Sequence, residues 1–381
     1  MSKKILFISN YSLLYGANRS LLTIIEHMKE VGYEVSVLYP SNGEAVKLCI
    51  QKKIACIVIR FYPQILYIKP SLRYLAVPFL FLWNIIIFPY LLYVVAKINP
   101  DVIYSNTSAE NMGILIAKVL KKKHIWHIRE FMKADYNACF IGGRKLKKKY
   151  ISISDFVIFV SNSVRNNVLL DSLSLVNHKV IYNGVDVPEL TFSKKTIRQD
   201  VNFGIVGILD PAKRQDLAIT YFRDILFIYP KAKLHIFGDR ESKYKTYLLR
   251  LIKSLNIENS IVFHGFENDY TKIYSLLDIV FMFSRSEGFG RVTVEAMMHA
   301  IPVIGFDNAG TSELIDDGIT GYLFNDKKSF VSSVRQVLSS EVKFNNIRKQ
   351  ALIVSHQKFS VCKYCSEVEY VINNELNFLD K

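Results

Sequence analysis

The 381-residue sequence predicts an α/β protein built as two halves, each with its own parallel sheet and helices on both faces. Three observations predict it. Short apolar runs rich in Val, Ile and Phe alternate with longer helix-forming stretches along the chain. The alternation pauses in the polar stretch Pro188 to Asp200 and then begins again. An acid-headed apolar run ending in Ser also recurs: SDFVIFVSNSV repeats the pattern of LDIVFMFSRSE, with Asp155 and Ser161 matching Asp278 and Ser284.

The first half opens with the strand KILFIS, a loop, and a helix from about Arg19 to Glu30 that Gly32 closes in the C′ position. EVSVLY, IACIVI, DVIYS and HIWHI follow as strands with helical patterns between them, and HKVIYNGVD ends the half. In the second half VNFGIVGIL, KLHIFG, IVFHGF, DIVFMF and PVIGF are the strands, and a helical stretch from about Val361 to Asn377 ends the chain. The expected boundaries are 1–190, 191–360 and 361–381. Ligands in open α/β sheets bind beyond the carboxyl ends of the strands, so a cleft between the two halves is the expected site.

Half of the residues are hydrophobic, enough for two cores. The five Cys show no pairing pattern, and the single C-x-x-C of Cys362 and Cys365 lacks the further ligands that zinc requires. MSKKILFISN has too brief an apolar run for a signal peptide, so a reduced cytoplasmic setting is expected. Of the net charge of +15, most belongs to residues 1–190, which carry 24 Lys and Arg against 12 Asp and Glu; residues 191–381 carry 25 against 22. Lys121 to Lys123 and Arg144 to Lys149 are the basic clusters. Nucleic acid and an anionic membrane surface are both possible partners for such clusters. No stripe of cations interleaved with aromatics supports nucleic acid. Tyr74 to Ala96 is a 23-residue uncharged run, interrupted by Pro78, Asn84 and Pro89. It reads as a spanning helix, a buried helix, or a segment lying in the cytoplasmic leaflet. Spanning would place the flanking strands of one sheet on opposite sides of the membrane, and the basic clusters favour the leaflet.

Glu287 and Glu295 carry the functional signal. DIVFMF reads as a buried strand, Ser284 to Gly290 as a polar loop, and the segment to about Ala300 as a helix. Glu287 is then in the loop and Glu295 in the first helical turn, both on the rim of a helix N-terminus suited to phosphate. Carboxylates there are placed to accept hydrogen bonds from neutral hydroxyls, which suggests a sugar and a ribose flanking a diphosphate.

EGFG with Glu295 at this spacing, Pro302-Val303 and AGTSELIDDGITGYLF together resemble the retaining glycosyltransferases of family 4, which have the GT-B fold of two Rossmann-like domains facing a central cleft. The resemblance implies that Glu287 contacts the transferred sugar and Glu295 the nucleotide ribose. It implies a donor site in the second domain, where ILDPAKRQDLAI supplies Lys213 for the diphosphate and Arg214 as a second cation. Gly207, Gly238 and Phe266 end strands beside the nucleotide. Gly288, Phe289 and Gly290 offer N–H groups to the sugar, and Arg291, Val292 and Thr293 offer them at the helix N-terminus. In the first domain, Gly16 belongs to an acceptor or phosphate loop in which Tyr15 replaces a second Gly. HIWHIREF places His127, Arg129 and Glu130 at a strand end facing the cleft, His127 touching the donor sugar and Arg129 serving the acceptor or phosphate; His124 lies deeper. The last helix is expected to cross back to the first domain.

The implied activity is retaining transfer of a hexosyl group from a nucleotide-sugar to a lipid-linked or polysaccharide acceptor of O-antigen, capsule or exopolysaccharide type. The expected place is the inner face of the cell membrane. Front-face attack is the expected route, with Glu287 orienting the sugar. No cofactor is expected, and no D-x-D pair implies a metal. A nucleotide-sugar epimerase of the same fold and a non-catalytic sugar-nucleotide-binding protein are the alternatives.

Overall fold

The computed structural model describes residues 3–67, 73–133, 138–169, 177–186 and 191–375. The chain forms two compact units, Met1–Gly184 with Val361–Lys381, and Val185–Ser360.

The first unit begins β1 (Lys4–Ser9), α1 (Gly16–Glu30), β2 (Glu34–Tyr39), α2 (Glu44–Gln51), β3 (Ala55–Val58), β4 (Ile65–Tyr67) and α3 (Arg73–Ile98). It continues with β5 (Val102–Asn106), α4 (Met112–Leu120), β6 (Lys123–Ile128), β7 (Ala138–Phe140), α5 (Gly143–Ser152), β8 (Phe156–Phe159), α6 (Asn162–Leu169) and β9 (His178–Val180). The second unit holds β10 (Asn202–Val206), α7 (Gln215–Leu226), β11 (Lys233–Phe237), α8 (Lys243–Ser254), β12 (Ile261–Gly265), α9 (Tyr270–Ser275) and β13 (Ile279–Met282). After it come α10 (Arg291–Met298), β14 (Val303–Phe306), α11 (Ala309–Leu314), β15 (Gly321–Phe324), α12 (Lys327–Val337) and α13 (Glu341–Phe359). The chain then returns to the first unit as α14 (Val361–Tyr370) and a π-helical turn, Val371–Glu375.

Among the described residues each unit has one large parallel sheet, ordered β3-β2-β1-β5-β6-β8-β9 in the first and β12-β11-β10-β13-β14-β15 in the second. Both orders reverse direction beside the first strand, which makes the β1/β5 and β10/β13 junctions the topological switch points. The inner strands, such as β1, β5, β8 and β13, are buried on both faces, so their sequences are continuous apolar runs rather than alternating ones. Between the second sheet and α12, Phe281, Phe283, Phe324 and Phe330 pack with ring centroids 4.7–6.1 Å apart.

The recurring acids have one structural job. Asp155 accepts from His124 N, the second residue of β6, at 3.0 Å, and Asp278 accepts from Asn202 N on β10 at 2.9 Å. Asp101, ahead of β5, accepts from Lys4 N on β1 at 2.8 Å. Each carboxylate satisfies a donor that a parallel ladder leaves open at its end.

Several expected bounds move. The first helix starts at Gly16, and the helix after Glu287 ends at Met298. Helix α3 runs continuously through Pro78, Asn84 and Pro89, so these residues do not interrupt it. Residues 191–200 are not a loose connection: Lys195 exchanges two bonds with the Asn345 side chain on α13, and Arg348 donates to Ser193 O at 2.9 Å. Residues 188–190 of that expected linker, the side chains of 74–76 and the chain past 375 lie outside the described residues.

Candidate active site

The loops after β10 and β13 flank the switch point of the second sheet, and they carry the residues that the sequence singled out. After β10, Asp210 caps a single 3-10 turn, Pro211–Lys213, by accepting from Ala212 N at 3.0 Å. That turn aims Lys213 at the β13 loop, where its Nζ meets Glu287 Oε1 at 2.6 Å. The pair joins positions 74 residues apart in sequence. Arg214 follows in the left-handed region at φ +54°, with its guanidinium 5.2 Å from the centre of the Phe306 ring.

The strand ends beside this pair are stepped. Gly207 N donates to Phe237 O at 2.9 Å, and Gly238 N to Gly265 O at 2.7 Å. A Cβ on Gly238, at φ +128°, would lie 2.1 Å from Gly207 O, so only glycine fits. The close approach that requires glycine here is to the neighbouring loop's backbone. Phe266, just past β12, is 71% exposed, a large apolar ring with no cover.

The β13 loop wraps around Gly310, whose own N–H donates to Glu287 O at 2.9 Å. A Cβ there would meet the carbonyl oxygens of Glu287, Phe289 and Gly288 at 2.7, 2.8 and 3.0 Å. Because trans peptides point C=O and N–H in opposite directions, the N–H groups of Gly288, Phe289 and Gly290 turn to the other side of the loop. Phe289 is itself buried, edge-on to Phe359 at 5.8 Å. Gly290, at φ +95°, is the N-cap of α10, and its carbonyl accepts from Thr293 N at 3.0 Å and Val294 N at 3.4 Å. The Thr293 N–H is therefore bonded within the helix, and its buried Oγ1 has no hydrogen-bond partner among the described residues.

Glu295 departs from its expected position. It lies in the second turn of α10, and its side chain is 5% exposed, beneath the rim rather than on it. Arg291 Nε stands 3.6 Å from Oε1, and Tyr274 donates to Oε2 at 3.2 Å. Burial, and then the Glu295 charge, raise the Tyr274 phenol well above its usual range, so it stays a donor. Sequence reading missed Tyr274, which stands 21 residues before its partner, and Gly310, which lay inside the quoted AGTSELIDD run without a role.

The first unit corrects three expectations. His127 is not at a solvent-facing strand end; it is fully buried within β6, with Nδ1 2.5 Å from Tyr104 Oη. Burial, reinforced by Arg129, depresses its pKa well below the usual range, so the ring is neutral. Its Nε2 has no hydrogen-bond partner among the described residues. Arg129 is 5% exposed and is consumed internally, donating to Asn106 Oδ1 at 2.5 Å, to Asn183 Oδ1 and to Tyr364 Oη at 2.9 Å. It ties β5 and the residues after β9 to α14 instead of reaching a phosphate. Glu130 is likewise buried, accepting from Ser108 N at 2.8 Å. His124 is deep, as expected, between Ser105 and Ser154. Gly16 is the first residue of α1, and the loop before it is organised by Asn18, which donates to Tyr11 O and Leu13 O and accepts from Ser9. Among the described residues no group of three His, Cys, Asp or Glu could hold a metal ion.

Two family models match the chain, Glycosyltransferase Family 4 over residues 15–189 and Glycosyl transferases group 1 over residues 188–353. N-acetyl-alpha-D-glucosaminyl L-malate synthase of Bacillus anthracis is 28% identical over 236 residues, 58% of this chain and 60% of its own length. The O-antigen biosynthesis glycosyltransferase WclY of Escherichia coli is 22% identical over 289 residues, 72% of this chain and 79% of its own. Matches to the first three curated relatives span 60%, 48% and 54% of their lengths. The crystal structure of Anabaena Alr3699/HepE in complex with UDP and glucose superposes with a TM-score of 0.77 at 22% identity, covering 97% of this chain and 99% of that one.

Proposed function

The chain belongs to the group 1, family 4 glycosyltransferases and has their GT-B fold, and from that premise we propose that it moves a sugar from a nucleotide-sugar to a glycan acceptor. The Lys213–Glu287 pair at the switch point of the second sheet carries this reading. It sets a cation for a departing diphosphate directly against a carboxylate for the sugar's hydroxyls. A UDP-bound structure among the proteins of like fold supports a nucleotide donor of that kind.

In this reading Lys213 neutralises the diphosphate and Arg214 adds a second cation. The N–H groups of Gly288, Phe289 and Gly290, on the loop face away from Gly310, meet the sugar. The first turn of α10, with Val292 and Thr293, presents its N-terminus to the anion. Gly207, Gly238 and Phe266 line the nucleotide. Glu295, held by Tyr274, accepts from the ribose once the donor has opened a way to it. His127 offers a neutral ring whose unpartnered nitrogen suits an uncharged sugar hydroxyl. Transfer goes with retention, by attack from the face that the diphosphate leaves, and the leaving phosphate takes the acceptor's proton. The acceptor in this reading is a lipid-linked or polysaccharide glycan at the inner membrane face; the O-antigen biosynthesis glycosyltransferase among the relatives supports the glycan part of it.

The test is release of nucleoside diphosphate from a panel of nucleotide-sugars, with and without a membrane lipid extract. Release that depends on the extract, with label appearing in lipid, supports transfer. Free epimerised sugar without any acceptor would replace the reading with the epimerase.

A further inference from the structure

Helix α3 is apolar on all sides, yet among the described residues most of it has no protein against it. Val77–Ile98 has a mean hydropathy of 2.1, and 17% of that window is buried. One narrow seam is used: Leu91 and Val95 are fully buried in the core on one face of the first sheet, with Ile87 and Phe88 partly covered beside them. The rest projects, with Phe79 72% exposed, Ile86 63% and Trp83 41%, and with Leu82, Tyr90 and Tyr93 also exposed. A helix whose last turns are built into a soluble core does not also cross hydrocarbon, so spanning is excluded. A water-soluble face of this composition without a partner is unusual.

The second observation is what stands next to it. Asn84 is turned inward and grips the chain at Tyr62, donating to its carbonyl at 2.8 Å and accepting from its N–H at 2.9 Å, while Trp83 donates to Arg60 O at 2.8 Å. Two residues on, Gln64 O accepts from Ile141 N at 3.0 Å, and the β4–β7 ladder extends that contact. Ile141 stands two residues ahead of α5. A single short segment, residues 60–64, thus stitches the middle of α3 to the start of α5, within about 20 Å by chain length. Helix α5, GRKLKKKYIS, carries five cations and no acid, with Arg144, Lys145 and Lys149 exposed. Lys147 is the exception: it turns inward onto Met132 Sδ at 3.1 Å, and burial lowers it to about 8.

We propose that the exposed face of α3 and the basic face of α5 form one docking surface for an anionic lipid bilayer. The apolar turns around Phe79, Leu82 and Ile86 enter the acyl boundary. Tyr90, Tyr93 and Lys97, whose ammonium lies 4.6 Å over the Tyr93 ring, match the headgroup level. The cations of α5 meet the lipid phosphates. A second copy of this chain fits worse as occupant, because pairing across α3 would bring two basic clusters together. The inference deepens the reading of a membrane-borne acceptor and rests on it for its purpose. Its test uses neither donor nor acceptor, so either can fail alone.

Trp83 makes the test direct, because the other tryptophan, Trp126, is fully buried in the first sheet. The full chain is mixed with vesicles of phosphatidylcholine containing phosphatidylglycerol, or of phosphatidylcholine alone, and flotation and tryptophan emission are read. Anionic vesicles are expected to float the protein, shift Trp83 emission to the blue and, with brominated acyl chains, quench it. Lys145→Glu with Lys149→Glu should weaken binding by about 30-fold or more, since each cation contributes about fivefold. Phe79→Ser with Ile86→Ser should abolish the emission shift while leaving the melting temperature unchanged, because both side chains are already in solvent. A wild-type chain that ignores both vesicles would overturn the proposal. So would binding that neither variant weakens, or a stable dimer that the α3 variant dissociates without any change in flotation.

Discussion

Replacing Glu287 by Gln is expected to move nucleotide binding and turnover in opposite directions. Lys213 Nζ lies 2.6 Å from Glu287, with side-chain exposures of 34% and 15%. A partly exposed pair of this kind is worth about 1 kcal/mol net, because solvent screens it and two side chains are held in one geometry. A diphosphate that recruits Lys213 must compete with that carboxylate. Glu287→Gln removes the competitor and keeps the shape, so a nucleoside diphosphate should bind roughly fivefold more tightly. Turnover should fall about a hundredfold or more, the usual loss when one group that stabilises the transition state is removed.

Calorimetric titration of UDP and GDP beside steady-state transfer measures both effects. Lys213→Met should weaken nucleoside diphosphate binding. In that background Glu287→Gln should no longer tighten it, since nothing remains to be released. The reasoning is refuted if Glu287→Gln weakens nucleoside diphosphate binding, or if the tightening persists without Lys213.

Tyr274→Phe should raise the donor KM several-fold with little change in kcat, because Glu295 loses the hydroxyl that holds Oε2; an equal fall in both would place Tyr274 in the chemistry instead. Arg129→Met should lower stability by about 3–5 kcal/mol in urea unfolding, since it strands Asn106, Asn183 and Tyr364 in a buried network. Glu110 is fully buried and pushed up to about 7 by burial, so its folded pKa exceeds the unfolded 4.5 and its contribution is fully present below 4.5 and lost as pH rises to about 7. Glu110→Gln should accordingly gain on the wild type between pH 4.5 and 8, by about 3 kcal/mol at the upper end, and a pH-independent difference would reject the assignment.

The parallel sheets were legible because both faces of their inner strands are buried, which leaves unbroken runs such as VIFV and IVFMF. The acid ahead of such runs was legible as a repeat but not as a mechanism. Only the strand order shows that Asp101, Asp155 and Asp278 each satisfy the open N–H at the start of the neighbouring strand. The apolar run at 74–96 declared its length and its lack of charge. It did not declare which side is used, because composition is the same all round. Asn84, read from sequence as an interruption, is the residue that fastens the helix to the protein.

Depth below the surface was the least legible property of the site. His127 and Arg129 were placed at a strand end facing the cleft because they end an apolar run, and Glu295 on a rim because it was read in the first turn of its helix. Each is instead covered, since the polar partners that make burial tolerable come from distant segments: Tyr104 for His127, Asn183 and Tyr364 for Arg129, Tyr274 for Glu295. The Lys213–Glu287 contact was hidden for the same reason. Its members lie in the loops after two strands that are adjacent in the sheet, and they stand 74 residues apart in the chain, so nothing local to either loop specifies it. The sheet order specifies it. With β10 beside β13, the loops leaving their carboxyl ends have to share the switch point, and a cation in one and a carboxylate in the other meet there without further design.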